Sequence, residues 1–498
     1  MKRTPIFFAS IVVVTVVFLL LVAFGAIPFG MPRVWVWQYQ PLNAPTRLAF
    51  PLVAFAALLG VLVSPVRKML NEKPTRQTER RVLLSLWLVS VLMASCVALL
   101  HPAGWMHTAT LIINPASNSY FSTAIERSDL PSLLDGYEQK MRDELVSHAQ
   151  TQSAGPVVLC GLLRQVFTAL PFTQEIADTL FALSPGVNSE FIARQSAKWW
   201  QVSLSGVDVS AALMIAFFFV GVGGLAVVPI YYLGKWLHDE QVGVCAAVAF
   251  TLLPSFHSFT VSVDQMYPFV SMTALCFITL ALRSPRRSGL WAGAAGVWIA
   301  LAVFLNLGLV TLLLLCGLFA AFLRQRARLP WRDGWRELLA FIVGLLAPWC
   351  LLWLIFRYNL LAVFRTSDDL RHALYAREHR SYAQALIGNL ADFFIFAGLP
   401  ATLLFCWGVV DTVRDAARRS ASPLLWSFLL LLLALDLSGK TRGEVGRMWM
   451  FLMPCVLLIA APQAQKIWRE SRGWMLALLV CQFAQVVVFQ YCVRVWGY

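Results

Sequence analysis

Residues 288–323 read SGLWAGAAGVWIALAVFLNLGLVTLLLLCGLFAAFL, thirty-six positions without a charged side chain. As one helix the run would be about 54 Å long at 1.5 Å per residue, whereas the hydrocarbon core of a bilayer is about 30 Å thick. The run is therefore expected to cross twice, turning at Asn306, the one amide side chain it contains. The same reasoning splits 242–282 at the polar stretch His257 to Asp264. Further apolar runs bring the expected spans to 5–27, 48–66, 82–100, 209–233, 242–257, 265–282, 290–304, 309–323, 338–356, 394–413, 423–436, 448–462 and 474–493. That is about thirteen transmembrane helices: an all-α, polytopic membrane helix bundle forming one domain over 1–498.

Composition agrees, with 59% hydrophobic and 13% charged residues among 498. The net charge of +14 does not indicate nucleic acid, because the basic residues form short clusters bracketing the apolar runs. The ten cysteines lie almost wholly within apolar runs and form no CxxC pair, so they read as small core hydrophobes. The basic start MKRT followed by an apolar stretch of about 20 residues reads as an uncleaved first span rather than a signal peptide.

With the N-terminus inside, the cytoplasmic loops hold 23 of the 40 Lys and Arg, a density more than threefold that of the other side. This orientation places 101–208 as one large non-cytoplasmic loop, 357–393 as a second, and 437–447 on the same face. Within the large loop, GPVVLCGLLRQVFTALPF (155–172) carries Arg164 at its centre and reads as a helix lying on the membrane surface. The loop 357–393 mixes basic, acidic and aromatic residues; it reads as an amphipathic surface helix or as a substrate contact.

Charge in apolar surroundings marks the candidate chemistry. LDLSGKTRGEVGRMWMFLMP (435–454) crowds Lys440, Arg442, Glu444 and Arg447 between two apolar runs, with Gly439, Gly443 and Gly446 freeing the backbone to turn. The alternative is that Lys440 and Arg442 flank a span and Glu444 pairs with Arg447 at i, i+3. Asp264 is the sole acidic residue in about 41 otherwise uncharged positions, either a functional carboxylate or a solvated turn residue. In the large loop Tyr120, Glu126 and Asp129 are candidate acceptor-site groups and His148 a candidate phosphate contact. Asp368, Asp369 and His372 offer oxygen and imidazole donors one turn apart, so a divalent cation is a candidate cofactor, although helical charge patterning explains them equally and no metal ligand is assigned.

Four stretches carry a family resemblance. INPASNSYFSTA (113–124), HAQTQSAGPVVLCGLLRQVF (148–167), LPSFHSFTVSVDQMY (253–267) and SGKTRGEVGRMWMFLMP (438–454) resemble, in order, the first catalytic loop, surface helix, Pro-to-Asp turn and late outer loop of the GT-C superfamily of polyprenyl-phosphate-sugar glycosyltransferases. The chain departs from that pattern where Gln152, Ser153, Ala154 and Gly155 stand in place of His-Pro-Pro-Gly, and NPASNSYF lacks the early acidic residue.

The resemblance implies sugar transfer from a polyprenyl-phosphate donor to a glycan, lipid or protein acceptor on the non-cytoplasmic face of a plasma membrane. Such chemistry needs a carboxylate to take the acceptor's proton and cations to stabilise the departing phosphate. Glu444 and Asp264 are the candidate catalytic carboxylates, and Arg442 and Arg447 the candidate phosphate ligands. Two alternatives remain open: a transporter or lipid-carrier flippase using the helix breaks at Asn306 and Asp264, and a family member that binds the carrier without turnover.

Overall fold

The computed structural model describes residues 4–27, 29–31, 35–39, 45–71, 75–184, 186–377, 380–416 and 422–494. The run 288–323 divides as expected. Helices Ser288–Leu305 and Leu312–Arg326 are separated by Asn306 and one 3-10 turn, Leu307–Thr311. Asn306 both breaks and restarts the chain: its side-chain oxygen accepts the backbone N–H of Gly308 at 2.7 Å, capping the turn that follows.

Among the described residues ten helices are long and apolar enough to cross a membrane, or twelve if each of two bent pairs is one span. The protein is an all-α polytopic membrane bundle. Three of the expected thirteen fall outside the ten. Segments 5–27 and 423–436 form shorter apolar helices, Phe7–Ala23 and Pro423–Ser438, and 394–413 lies in a pair, Tyr382–Ala397 and Leu399–Arg414, bent by 107°. Gly398, at a φ of 98°, sits at that bend and Pro400 follows it. The run 242–282 resolves into Glu240–Phe250 and Tyr267–Arg283, with the short helix Pro254–Ser258 and the turn Val263–Met266, which carries Asp264, between them.

The surface-helix stretch is also bent: Gly155–Ala169 meets Thr173–Phe181 at 96°. Arg164 pairs with Asp208 at 2.8 Å, and Asp208 belongs to the capping box that starts helix Gly206–Gly224. The rest of 101–208 is largely helical, including Gly104–Ile113, Tyr120–Glu126 and Ser189–Trp200. A small antiparallel sheet, unexpected from the apolar pattern, joins Phe29–Met31, Trp35–Tyr39 and Val493–Arg494.

Glycine sets two close approaches. A Cβ on Gly296 would lie 2.2 Å from the carbonyl oxygen of Phe341, and one on Gly344 would lie 2.2 Å from that of Gly293. Helices Ser288–Leu305 and Trp335–Phe356 thus pack backbone to backbone, as small residues permit between membrane helices. At Gly155 a Cβ would fall 1.8 Å from the carbonyl oxygen of Phe304, and the hydroxyl of the neighbouring Ser153 donates to that same oxygen at 2.6 Å. The start of helix Gly155–Ala169 is thereby seated on the end of helix Ser288–Leu305, beside Asn306.

Candidate functional site

The late charged stretch folds as a pinned loop. Gly439 ends helix Pro423–Ser438 at a φ of 62°, Gly443 stands at 101°, and Glu444 leads into the single turn Val445–Met448. Asn389, 1% exposed, accepts the N–H of Gly443 at 3.1 Å and donates to the carbonyl of Thr441 at 2.9 Å. The Tyr375 hydroxyl donates to the Lys440 carbonyl at 3.1 Å. With both ends and the middle held, the loop presents Glu444 and Arg447 inward.

Arg447, 7% exposed, is the centre of the charged cluster. One guanidinium nitrogen lies 2.8 Å from a Glu444 oxygen and another 3.6 Å from an oxygen of Asp264. Asp264, also 7% exposed, accepts the Ser262 hydroxyl at 3.3 Å. The second oxygen of Glu444 is 3.8 Å from Arg380. Burial opposes ionisation of Glu444, but Arg447 and then Arg380 outweigh it and hold the carboxyl below its ordinary range.

The large loop supplies the facing wall. Tyr120 opens helix Tyr120–Glu126, His148 lies in helix Ser147–Thr151, and their rings stand 6.4 Å apart. A polar cavity of about 20 Å³, room for one water, is lined by Tyr120, His148, Gln152, Asp264, Asn306 and Arg447 among others. Among the described residues, three of the six non-glycine residues with positive φ, Ser119, Ser147 and Glu444, are each next to or part of this group. Backbone strain of this kind collects at functional sites.

A larger groove of about 530 Å³ adjoins it and shares Asn306 and Met448 as lining residues. Its walls are mainly apolar, among them Leu314, Phe364, Leu431 and Leu435, and its polar rim carries Arg365, Arg371, Lys440 and Asp368. Asn306 bridges the two spaces, donating to the Tyr267 hydroxyl at 3.0 Å.

Of the residues expected from sequence, Asp264, Glu444, Arg447, Tyr120 and His148 come together. Arg442 is instead engaged elsewhere: it donates to the carbonyls of Arg380 at 2.8 Å and Gly439 at 3.2 Å, and lies over the ring of Tyr375. Glu126 and Asp129 are exposed and line neither cavity. Among the described residues no group of three or more His, Cys, Asp or Glu is placed to hold a metal ion. Asp368 forms a close two-oxygen pair with Lys440, and Asp369 lies 3.0 Å from Arg142. Gln152, Tyr267, Arg365 and Arg371 were not singled out as site residues, and Asn306 only as a helix break suited to transport. The spacing of Arg365, Asp368 and Arg371 at three-residue intervals, in a segment expected to be either a surface helix or a substrate contact, was the available signal.

Burial, and next the charge of Arg447, push His148 down to about 4 from an ordinary 6.5. It is therefore a neutral hydrogen-bonding group near pH 7 rather than a cationic phosphate ligand. Between about pH 6.5 and 4 the unfolded chain binds a proton here that the folded chain refuses, so stability is full above this window and is lost as pH falls through it. The thermal midpoint in detergent should drop across that window, and His148→Gln should flatten the drop. A variant with an undiminished slope would contradict the assignment.

No family model and no curated protein matches the chain. Among solved structures it is similar to the crystal structure of the Archaeoglobus fulgidus oligosaccharyltransferase complex with zinc and sulfate, at a TM-score of 0.39 and 15% identity over 60% of this chain. The chain spans 44% of the length of that protein.

Proposed function

We propose that the protein is an integral-membrane glycosyltransferase that moves a sugar from a polyprenyl-phosphate donor to a hydroxyl-bearing glycan, lipid or protein acceptor. The observation carrying this reading is the join between an apolar groove of about 530 Å³ with a cationic rim and the pocket lined by Asp264 and Arg447, the latter paired with Glu444. A prenyl tail fits the groove's apolar walls, and its phosphate fits Arg365 and Arg371 at the rim, with Lys440 already paired to Asp368.

In the proposed step the acceptor hydroxyl attacks the anomeric carbon, and the bond from that carbon to the phosphate oxygen breaks. The electron pair leaves on the phosphate, which the rim arginines and Arg447 stabilise. The acceptor's proton passes to a carboxylate, with Asp264 the first choice and Glu444 the orienting partner of Arg447. Arg442, held by backbone carbonyls, steadies the loop. A divalent cation has no assembled donor set at Asp368, Asp369 and His372 and enters no step. The excess of basic residues in the loops assigned to the cytoplasm favours an inner-membrane setting with the site on the non-cytoplasmic face.

The test supplies purified protein in lipid with polyprenyl-phosphate sugars and candidate acceptors. Transfer should be measurable for the wild type and fall by about a thousandfold in Asp264→Asn. Transfer unaffected by Asp264→Asn, Glu444→Gln and Arg371→Gln would remove this site assignment. A second reading, a lipid-carrier flippase, draws on the helix break at Asn306 inside the groove. Carrier movement between leaflets without transfer would favour it, and carrier binding with neither activity would mark a non-catalytic binder.

A further inference from the structure

Residues 324–337, RQRARLPWRDGWRE, hold five arginines against one aspartate and one glutamate, and none of them lines the groove or the polar cavity. One arginine is structural. Arg324, 8% exposed, donates to the carbonyl of Pro330, and a Cβ on Gly334 would lie 3.0 Å from its guanidinium carbon. The segment is folded back over that guanidinium, and Arg326, Arg328, Arg332 and Arg336 remain exposed around it.

Helix Trp335–Phe356 rises from this basic foot. Its 22 residues span about 33 Å, the thickness of the hydrocarbon core, and Gly344 is its one buried residue. Trp335, Leu338, Leu339, Ile342 and Leu346 are each at least 40% exposed. The helix's N-terminal N–H groups, with their partial positive charge, face the same foot. Four exposed guanidinium groups, a tryptophan at the boundary and an uncovered apolar face together match a single molecule with an anionic head and hydrocarbon chains. Zwitterionic lipid would serve the apolar face equally well but would leave the cationic excess unanswered.

We propose that this foot is a binding site for one anionic glycerophospholipid, its headgroup among Arg328, Arg332 and Arg336 and its acyl chains along Leu338, Ile342 and Leu346. The proposal is independent of the glycosyltransferase reading, because it concerns a different part of the chain and no substrate.

The test offers the purified full chain equimolar dioleoylphosphatidylglycerol and dioleoylphosphatidylcholine in mixed micelles, and counts retained lipid by native mass spectrometry. Phosphatidylglycerol should be retained over phosphatidylcholine by about fivefold or more, and the quadruple variant R326Q/R328Q/R332Q/R336Q should bring the two near equality. The control R76Q/R80Q/R81Q removes three arginines from the start of another helix, Arg76–Ala98, and should keep the preference. Equal retention of both lipids by the wild type, or equal loss in the quadruple variant and the control, would overturn the site. The charge reversal Arg332→Glu provides a milder second variant, which should also lower the preference; an unchanged preference in it would likewise count against the site.

Discussion

Arg447→Met should leave the protein poorly folded and inactive, whereas Arg447→Lys should restore most of the stability and little of the transfer. The guanidinium is buried between Glu444 at 2.8 Å and Asp264 at 3.6 Å, so its removal takes the cation away from the buried Asp264 carboxylate and leaves Glu444 with Arg380 at 3.8 Å. Breaking a buried ion pair by deleting one partner costs about 3–5 kcal/mol, because the remaining charge stays desolvated. Lysine returns the charge but not the planar fork that reaches both carboxylates while offering donors to a phosphate. Thermal unfolding in detergent separates these outcomes from loss of transfer. If Arg447→Met unfolds at the wild-type temperature, the cluster is not the electrostatic centre described here.

Gly155→Val should be the most damaging substitution outside the charged cluster, at about 4 kcal/mol or more. Its first side-chain carbon would sit 1.8 Å from the carbonyl oxygen of Phe304 and 2.5 Å from that residue's carbonyl carbon, both backbone atoms that no rotamer change can move. Relief requires lifting helix Gly155–Ala169 off helix Ser288–Leu305, which would also carry Gln152 away from the polar cavity. Gly317→Ala is the matched control, since a Cβ there meets nothing within 4 Å. In a helix interior that change should be neutral or stabilising by a few tenths of a kcal/mol to about 1 kcal/mol. Comparable midpoints for the two variants would show that the packing at Gly155 yields without cost.

The spans were legible because a bilayer of fixed thickness rations the length of uncharged chain, and Asn306 stood out as the polar interruption of a run too long for one crossing. The bend at Gly398 was less legible, since an apolar run continues through it and only the Gly-Leu-Pro sequence marks the change of direction. Asp264, Glu444 and Arg447 were readable because each is a charge where hydrocarbon or tight packing surrounds it. Arg442 was not separable from Arg447 by the same reasoning. Its direction is decided by Arg380 and Tyr375, more than sixty residues away in sequence, which draw the guanidinium toward their own carbonyl and ring. The rim arginines were missed for the converse reason: Arg365 and Arg371 sit among Thr366, Ser367, Asp368 and Asp369 like any solvated helix face, and only the seating of that helix on Ser147–Thr151, where the Ser367 hydroxyl donates to the Thr151 carbonyl at 2.6 Å, sets them beside the groove.

Ser119, Ser147 and Glu444 hold backbone conformations in which glycine would sit without steric conflict. An engineer choosing residues for durability alone would place glycine at all three, and would thereby delete a carboxylate and slacken the two turns that aim Tyr120 and His148. The arrangement marks out where robustness and catalytic competence pull the same codon in opposite directions, so variants selected for heat resistance should be searched first at these three positions for silent loss of activity.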